Sequence, residues 1–209
     1  MSKKTIIIIV ATLIVVAGFA VFALRDTLFQ SYAPSATTQT ETPSSTTNEF
    51  AVLQGEDFDR SFLSNMIAHH QGAVDMAKLA IANAKHAELK TMANEIVSAQ
   101  EKEIAEMSAF QTEWGYPSTS AENMQDHSAM GMMDDMAGMT AELEGKTGDE
   151  FDKAFLEQMI MHHQSAIDMA APAETNASHQ EVKNLAEGVI TAQTAEIKQM
   201  KQWQADWGY

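Results

Sequence analysis

Cysteine is absent from all 209 residues, so the chain forms no disulfide and offers no thiolate to a metal or to nucleophilic chemistry. Any soft ligand must be methionine or histidine. Positive charge is scarce too: 13 Lys and Arg stand against 29 Asp and Glu, a formal net charge of −16. That balance argues against nucleic acid and anionic lipid head groups as partners and gathers cations near the surface. Solubility alone explains most of those carboxylates equally well. Catalytic signatures are also missing: there is no Gly-x-Ser-x-Gly elbow, no phosphate loop, no His-Glu-x-x-His zinc motif, and none of the Glu-x-x-His pairs of a carboxylate-bridged di-iron bundle. A binder is expected, not an enzyme.

One long apolar run is present. Residues 5–24 lie between Lys3-Lys4 and Arg25-Asp26, and at about 1.5 Å per residue they are long enough to cross a hydrocarbon layer of roughly 30 Å. The run exceeds the h-region of about 7–15 residues found in cleaved signals, which favours a retained anchor, although Val21-Phe22-Ala23 offers a cleavage site. In both cases Lys3-Lys4 stays inside and the rest is exported, to the periplasm or the extracellular face. Residues 1–26 are therefore read as anchor or signal. Residues 27–49, dominated over 31–48 by Ser, Thr, Pro and Gln, read as a disordered tether. The folded part is expected over 50–209.

Within it one line is written twice. Met66-Ile67-Ala68-His69-His70-Gln71-Gly72-Ala73-Val74-Asp75-Met76-Ala77 returns as Met159-Ile160-Met161-His162-His163-Gln164-Ser165-Ala166-Ile167-Asp168-Met169-Ala170, an offset of 93 residues (162 minus 69). The same offset joins Phe58 to Phe151, His86 to His179, Gln100 to Gln193, and the endings Trp114-Gly115-Tyr116 and Trp207-Gly208-Tyr209, with no gap. This is a duplicated structural unit, with repeats over 50–116 and 150–209 and a methionine-rich connector over 117–149.

Apolar residues recur at three- and four-residue steps: Phe62, Met66, Ala73, Met76 and Ala80, then Leu89, Met92, Ile96, Ile104 and Met107. That spacing predicts two amphipathic helices per repeat, broken near Lys85-His86. A hairpin alone cannot hide its apolar stripe, so the expected fold is all-α, an antiparallel four-helix bundle built from two hairpins. Pro172 stands where the first copy has Leu79 and should kink or end the third helix. The connector allows a short amphipathic helix, weakened by Gly131, Gly138, Gly145 and Gly148.

At about 100° per residue, Met66, His69, Ala73 and Met76 share the core-facing stripe, with His70 beside it at a helix boundary. His162, His163, Met159 and Met169 repeat the arrangement. Imidazole and thioether donors without charge suit Cu(I), with Ag(I) as surrogate, better than Zn(II), Ca(II) or Mg(II). The alternative is plain core filling, methionines as packing and histidine as a hydrogen-bonded interior group. In the connector, Met124, His127, Met130, Met132 and Met133 form a thioether cluster able to wrap Cu(I), unless it is only a linker. Asp75 and Asp168 lie about 120° from the inward histidine of their own copy, so they either orient a histidine across the bundle or sit in solvent. His86 and His179 occupy hairpin turns, and Trp114, Trp203 and Trp207 read as core or cap anchors.

The two His-His-Gln-x-Ala-x-Asp-Met strings and the two Gln-x-x-Glu-Ile strings, Gln100 to Ile104 and Gln193 to Ile197, resemble the domain-of-unknown-function family 305 over about residues 50 to 209. The resemblance implies an exported, ferritin-like four-helix fold. Because the family includes the CopM-like copper-binding proteins, it also implies periplasmic Cu(I) handling and copper resistance, with the histidine pairs and flanking methionines as ligands. Pro172 and Gly188, in place of Leu79 and Glu95, depart from strict symmetry and argue against equal affinities. The expectation is a membrane-tethered copper binder, with His69, His70, Met66 and Met76 as one ligand group, their repeats as another, and His127, Met130 and Met133 as connector ligands. Its partners would be the metal ion, the membrane, and a second copy or a copper-accepting envelope protein. The competing reading is a metal-independent helical interaction module of the envelope. A third, an oxidase activity, would need an open Cu(II) position.

Overall fold

Six helices follow one another in the structure, a computed structural model that describes residues 50–118 and 127–209, the side chains of 127–133 excepted. They are α1 (Glu56–Asn83), α2 (Ala87–Trp114), α3 (His127–Ala141), α4 (Gly148–Ala170), α5 (Ala173–Asn176) and α6 (Gln180–Trp207). Among the described residues there are no strands, only two isolated bridges. None of the helices searched there is long and apolar enough to cross a membrane. The apolar run of residues 5–24, the tether and Met124 lie outside the described residues.

The two hairpins begin and end on the same local chemistry. Acidic side chains fill the first turns, Glu56, Asp57 and Asp59 in α1, Asp149 and Glu150 in α4, where the helix dipole favours negative charge. Gly115 and Gly208 close α2 and α6 in the left-handed conformation, φ 71° and 77°, a cap that residues with a Cβ adopt only at a cost. Pro172 breaks the symmetry where expected. Helix α4 stops at Ala170 and one short turn, α5, completes the length that α1 covers without interruption.

Helix α1 packs on α2, α4 on α6, and α1 on α4. The apolar interior falls into two clusters, each drawn from both hairpins. One contains Phe58, Phe62, Met66, Met107, Met169, Val182 and Val189, the other Met76, Leu89, Ile96, Phe151, Phe155, Met159 and Met200. On all four long helices the residues between the clusters are polar and buried or part-buried: His69-His70, Gln100 and Glu103, His162-His163, Gln193 and Glu196. A polar layer thus crosses the interior at mid-height.

Two buried carboxylates clasp the hairpins together. Asp152 of α4, fully buried, accepts the backbone N–H groups of Lys85 (2.8 Å) and His86 (3.0 Å) and contacts His86 Nδ1 (2.6 Å) in the opposite hairpin's turn. Asp59 of α1 does the same for Ser178 (3.1 Å), His179 (3.0 Å) and His179 Nδ1 (2.6 Å). Each clasped imidazole stacks on a tryptophan from a helix end, His86 on Trp207 and His179 on Trp114, both at 3.8 Å. The anchoring role expected of Trp114 and Trp207 is thus exercised on the turn histidines.

The connector does form a helix. Met136 of α3 is buried against α1, and a Cβ placed on Gly72 would come within 2.7 Å of the Met136 Cβ. The missing side chain is what lets α3 seat there. Packing overrides the weakening effect of Gly131 and Gly138.

Removing either clasp strands two backbone donors and an imidazole, so Asp59→Ala and Asp152→Ala should each lower the urea-measured stability by about 3 kcal/mol. Asp75→Ala, at an exposed site, should stay within about 0.5 kcal/mol. Gly72→Ala should destabilise by about 1–3 kcal/mol through overpacking. Gly188→Ala, facing open space in α6, should stabilise by up to about 1 kcal/mol, and the opposite signs are readable in one melting series.

Candidate metal centre

The crossing of α1 and α4 brings together the two histidine pairs that the chain holds 93 residues apart. All four imidazoles are buried. The rings of His69 and His162 lie 3.7 Å apart between centroids at 41°, with His70 and His163 flanking them at 6.4 and 5.9 Å from their chain neighbours. His69 and His70 divide as their helical angles require, one toward α4 and the other toward α2.

Hydrogen bonding places a proton on Nε2 of each ring. His70 Nε2 meets Glu103 Oε2 of α2, and His163 Nε2 meets Glu196 Oε2 of α6, both at 2.6 Å. His162 Nε2 donates to the backbone carbonyl of His69 at 3.0 Å. His69 Nε2 lies 2.7 Å from Ser165 Oγ, whose own proton is committed to the carbonyl of His162. A carbonyl and a hydroxyl already donating elsewhere are the acceptors for the two central rings, so His162 and His69, when neutral, carry their proton on Nε2 and a lone pair on Nδ1. All four Nδ1 atoms are buried with no hydrogen-bond partner.

Burial holds the His69 and His162 pKa values well below the ordinary 6.5. The positive charge that neighbouring histidines would carry, His162 for His69 and His163 for His162, adds to the effect. These two imidazoles are neutral at physiological pH. What the central pair offers is two uncharged nitrogen donors walled off from water.

Thioethers border the layer on both sides. Met66 shares an apolar cluster with Met169 of the other hairpin, and Met76 shares the second with Met159. Each cluster therefore draws one of these methionines from each repeat. His127, Met130 and Met133 belong to α3 by backbone, their side chains lying outside the described residues. Among the described residues no three or more His, Asp or Glu side chains form a ready-made cation cage.

Several expectations shift. Asp75 and Asp168 do not reach a histidine: each faces solvent and accepts from the glutamine one turn earlier, Gln71 or Gln164, at 3.0 Å. The orienting role belongs to Glu103 and Glu196, which spacing within one helix could not single out. Their shared offset of 93 and their place one turn beyond Gln100 and Gln193 were the available signals. Ser165, where the first copy has Gly72, is likewise a site residue.

With this geometry in view, the family is defined. The chain belongs to the family described as Domain of unknown function (DUF305), whose model matches residues 30–111 and 59–204. Among solved structures it is similar to CopM in the Cu(I)-bound form, 38% identical with a TM-score of 0.58 over 71% of this chain and 96% of that one. CopM is also known in Cu(II)-bound, Ag-bound and apo forms. The DUF305 protein of Streptomyces coelicolor, 24% identical over 72% of this chain and 93% of that one, has a TM-score of 0.62 and shares the fold. No curated protein matches the chain.

A histidine kept neutral by folding leaves the unfolded chain to bind the extra proton. The stability from His69 and His162 is therefore complete above pH 6.5 and declines as pH falls below it. Each group contributes a slope of up to about 1.4 kcal/mol per pH unit. Urea midpoints taken from pH 7.5 to 5 should fall steeply, and the His69→Asn/His162→Asn variant should give a flatter profile.

Proposed function

We propose that this chain is an extracytoplasmic copper-binding protein that sequesters Cu(I) or passes it on, without catalysing a reaction. The observation that carries the reading is the set of four buried Nδ1 atoms without a hydrogen-bond partner, those of His69 and His162 left as free lone pairs because an acceptor holds the proton on Nε2. A buried lone pair without a donor is unfavourable, about 1–3 kcal/mol for such a group, and binding a soft monovalent ion relieves it. Neutral imidazoles and thioethers accept Cu(I) without requiring a compensating charge, and Cu(I) tolerates low coordination, so a closed cage is unnecessary.

In this reading His69, His70, His162 and His163 supply nitrogen through Nδ1. Met66 and Met169 supply thioethers from one side of the layer, Met76 and Met159 from the other. Glu103 and Glu196 fix two of the rings, as carboxylates behind metal-bound histidines do. His127, Met130 and Met133 of the connector form an outer collecting segment near α1. The four long helices act as an antiparallel ferritin-like bundle, tethered by residues 27–49 to a membrane anchor formed by the apolar run. CopM, known with Cu(I), Cu(II) and silver bound, supports copper as the cargo and silver as its surrogate.

Titration of the chain with Cu(I) against a chromophoric chelator under reducing, anaerobic conditions tests the proposal. Stoichiometric uptake is expected, weakened at least tenfold by His69→Ala/His162→Ala and about 10–100-fold by Glu103→Gln/Glu196→Gln, which frees the tautomer. A metal-independent helical module would show no chelator-resistant uptake, and that result would overturn the assignment.

A further inference from the structure

Behind the histidines, on the side away from the α1–α4 crossing, a groove runs between α2 and α6. Gln100 and Glu103 line it from one helix and Gln193 and Glu196 from the other. Ala99 and Ala192 keep it open by their small size. Every lining residue of α2 has its counterpart 93 positions later in α6, so the groove lies on the pseudo-two-fold axis of the duplication.

Two carboxylates in a groove are not by themselves a binding site. The amides are the decisive observation: Gln100 and Gln193 are each 97% buried, at 3% relative exposure, yet the Oε1 atoms of both are shut from solvent with no hydrogen-bond partner. Buried side-chain oxygens are nearly always satisfied. A matched pair of unsatisfied ones at one place calls for a group that accepts electron pairs. Glu103 and Glu196 commit Oε2 to His70 and His163, leaving Oε1 of each uncommitted among the described residues.

We propose that this groove binds one oxygen-preferring divalent cation of the Mg(II), Ca(II) or Mn(II) class, held by Gln100 Oε1, Gln193 Oε1 and the carboxylates of Glu103 and Glu196. Two negative charges and two neutral amide oxygens match a doubly charged hard ion. The open side of the groove supplies water for the remaining coordination positions. The donor set has neither sulfur nor a free ring nitrogen, so it does not compete for Cu(I). The site shares Glu103 and Glu196 with the copper reading, where their Oε2 atoms hold His70 and His163, but Gln100 and Gln193 take no part in that reading, so the two are tested separately.

Mn(II) is the probe, because free Mn(II) is counted directly by its paramagnetic resonance signal. The metal-free full chain in 0.15 M salt should take up one Mn(II) saturably, with Mg(II) or Ca(II) displacing it and Ag(I) not. In Gln100→Leu/Gln193→Leu, which removes two unpaired buried oxygens and so leaves folding intact, Mn(II) affinity should drop at least tenfold while Cu(I) uptake is unchanged. Uptake that never saturates and vanishes with added salt would mark diffuse counterions of an acidic chain and overturn the proposal. One-to-one binding undiminished in the double variant would overturn it equally.

Discussion

Each hairpin closes on a carboxylate supplied by the other. Asp152 holds the turn at Lys85-His86, Asp59 holds the turn at Ser178-His179, and both are fully buried. Because the accepting carboxylates belong to the opposite repeat, these turn N–H groups are not satisfied within their own hairpin. The parallel bridges Gly55 to Ala177 and Ala84 to Gly148 lie beside the two clasps and repeat the same exchange. Fixing both ends in this manner sets where α1 crosses α4, and that crossing places His69 against His162.

What lies at the crossing is a polar layer between two apolar clusters, and its two central histidines are hydrogen-bonded across the halves. His162 donates to the backbone of His69, while Ser165 receives His69 and donates to His162. Glutamates from the outer helices hold the flanking rings. Desolvation keeps the two central imidazoles uncharged, so the layer avoids the repulsion that two cations 3.7 Å apart would bring. The same neutrality gives the donor set its soft character. Fold and candidate chemistry therefore rest on one arrangement of protons.

Much of this was legible in the chain. Apolar spacing located the four long helices, the turn near Lys85-His86 and the inward direction of His69, because those depend on geometry within one helix. Pro172 ended α4 for a local steric reason. Interactions between elements were harder to read. Glu103 and Glu196 look like solvated glutamates in a Lys- and Glu-bearing helix, and only the neighbouring histidine reveals their role. His86 and His179 look like ordinary turn residues until Asp152 and Asp59 arrive from the other repeat. The connector's spacing allowed a short helix that its glycines weakened, and burial of Met136 on α1 outweighed that propensity.

At the position after each His-His-Gln string the copies part company: Gly72 makes room for Met136 of α3, and Ser165 holds the ring of His69. One copy provides the berth for the intervening helix, and the other provides the rivet of the histidine layer. The halves have specialised and are no longer interchangeable, for a serine at the first position would crowd the berth and a glycine at the second would unfasten the ring.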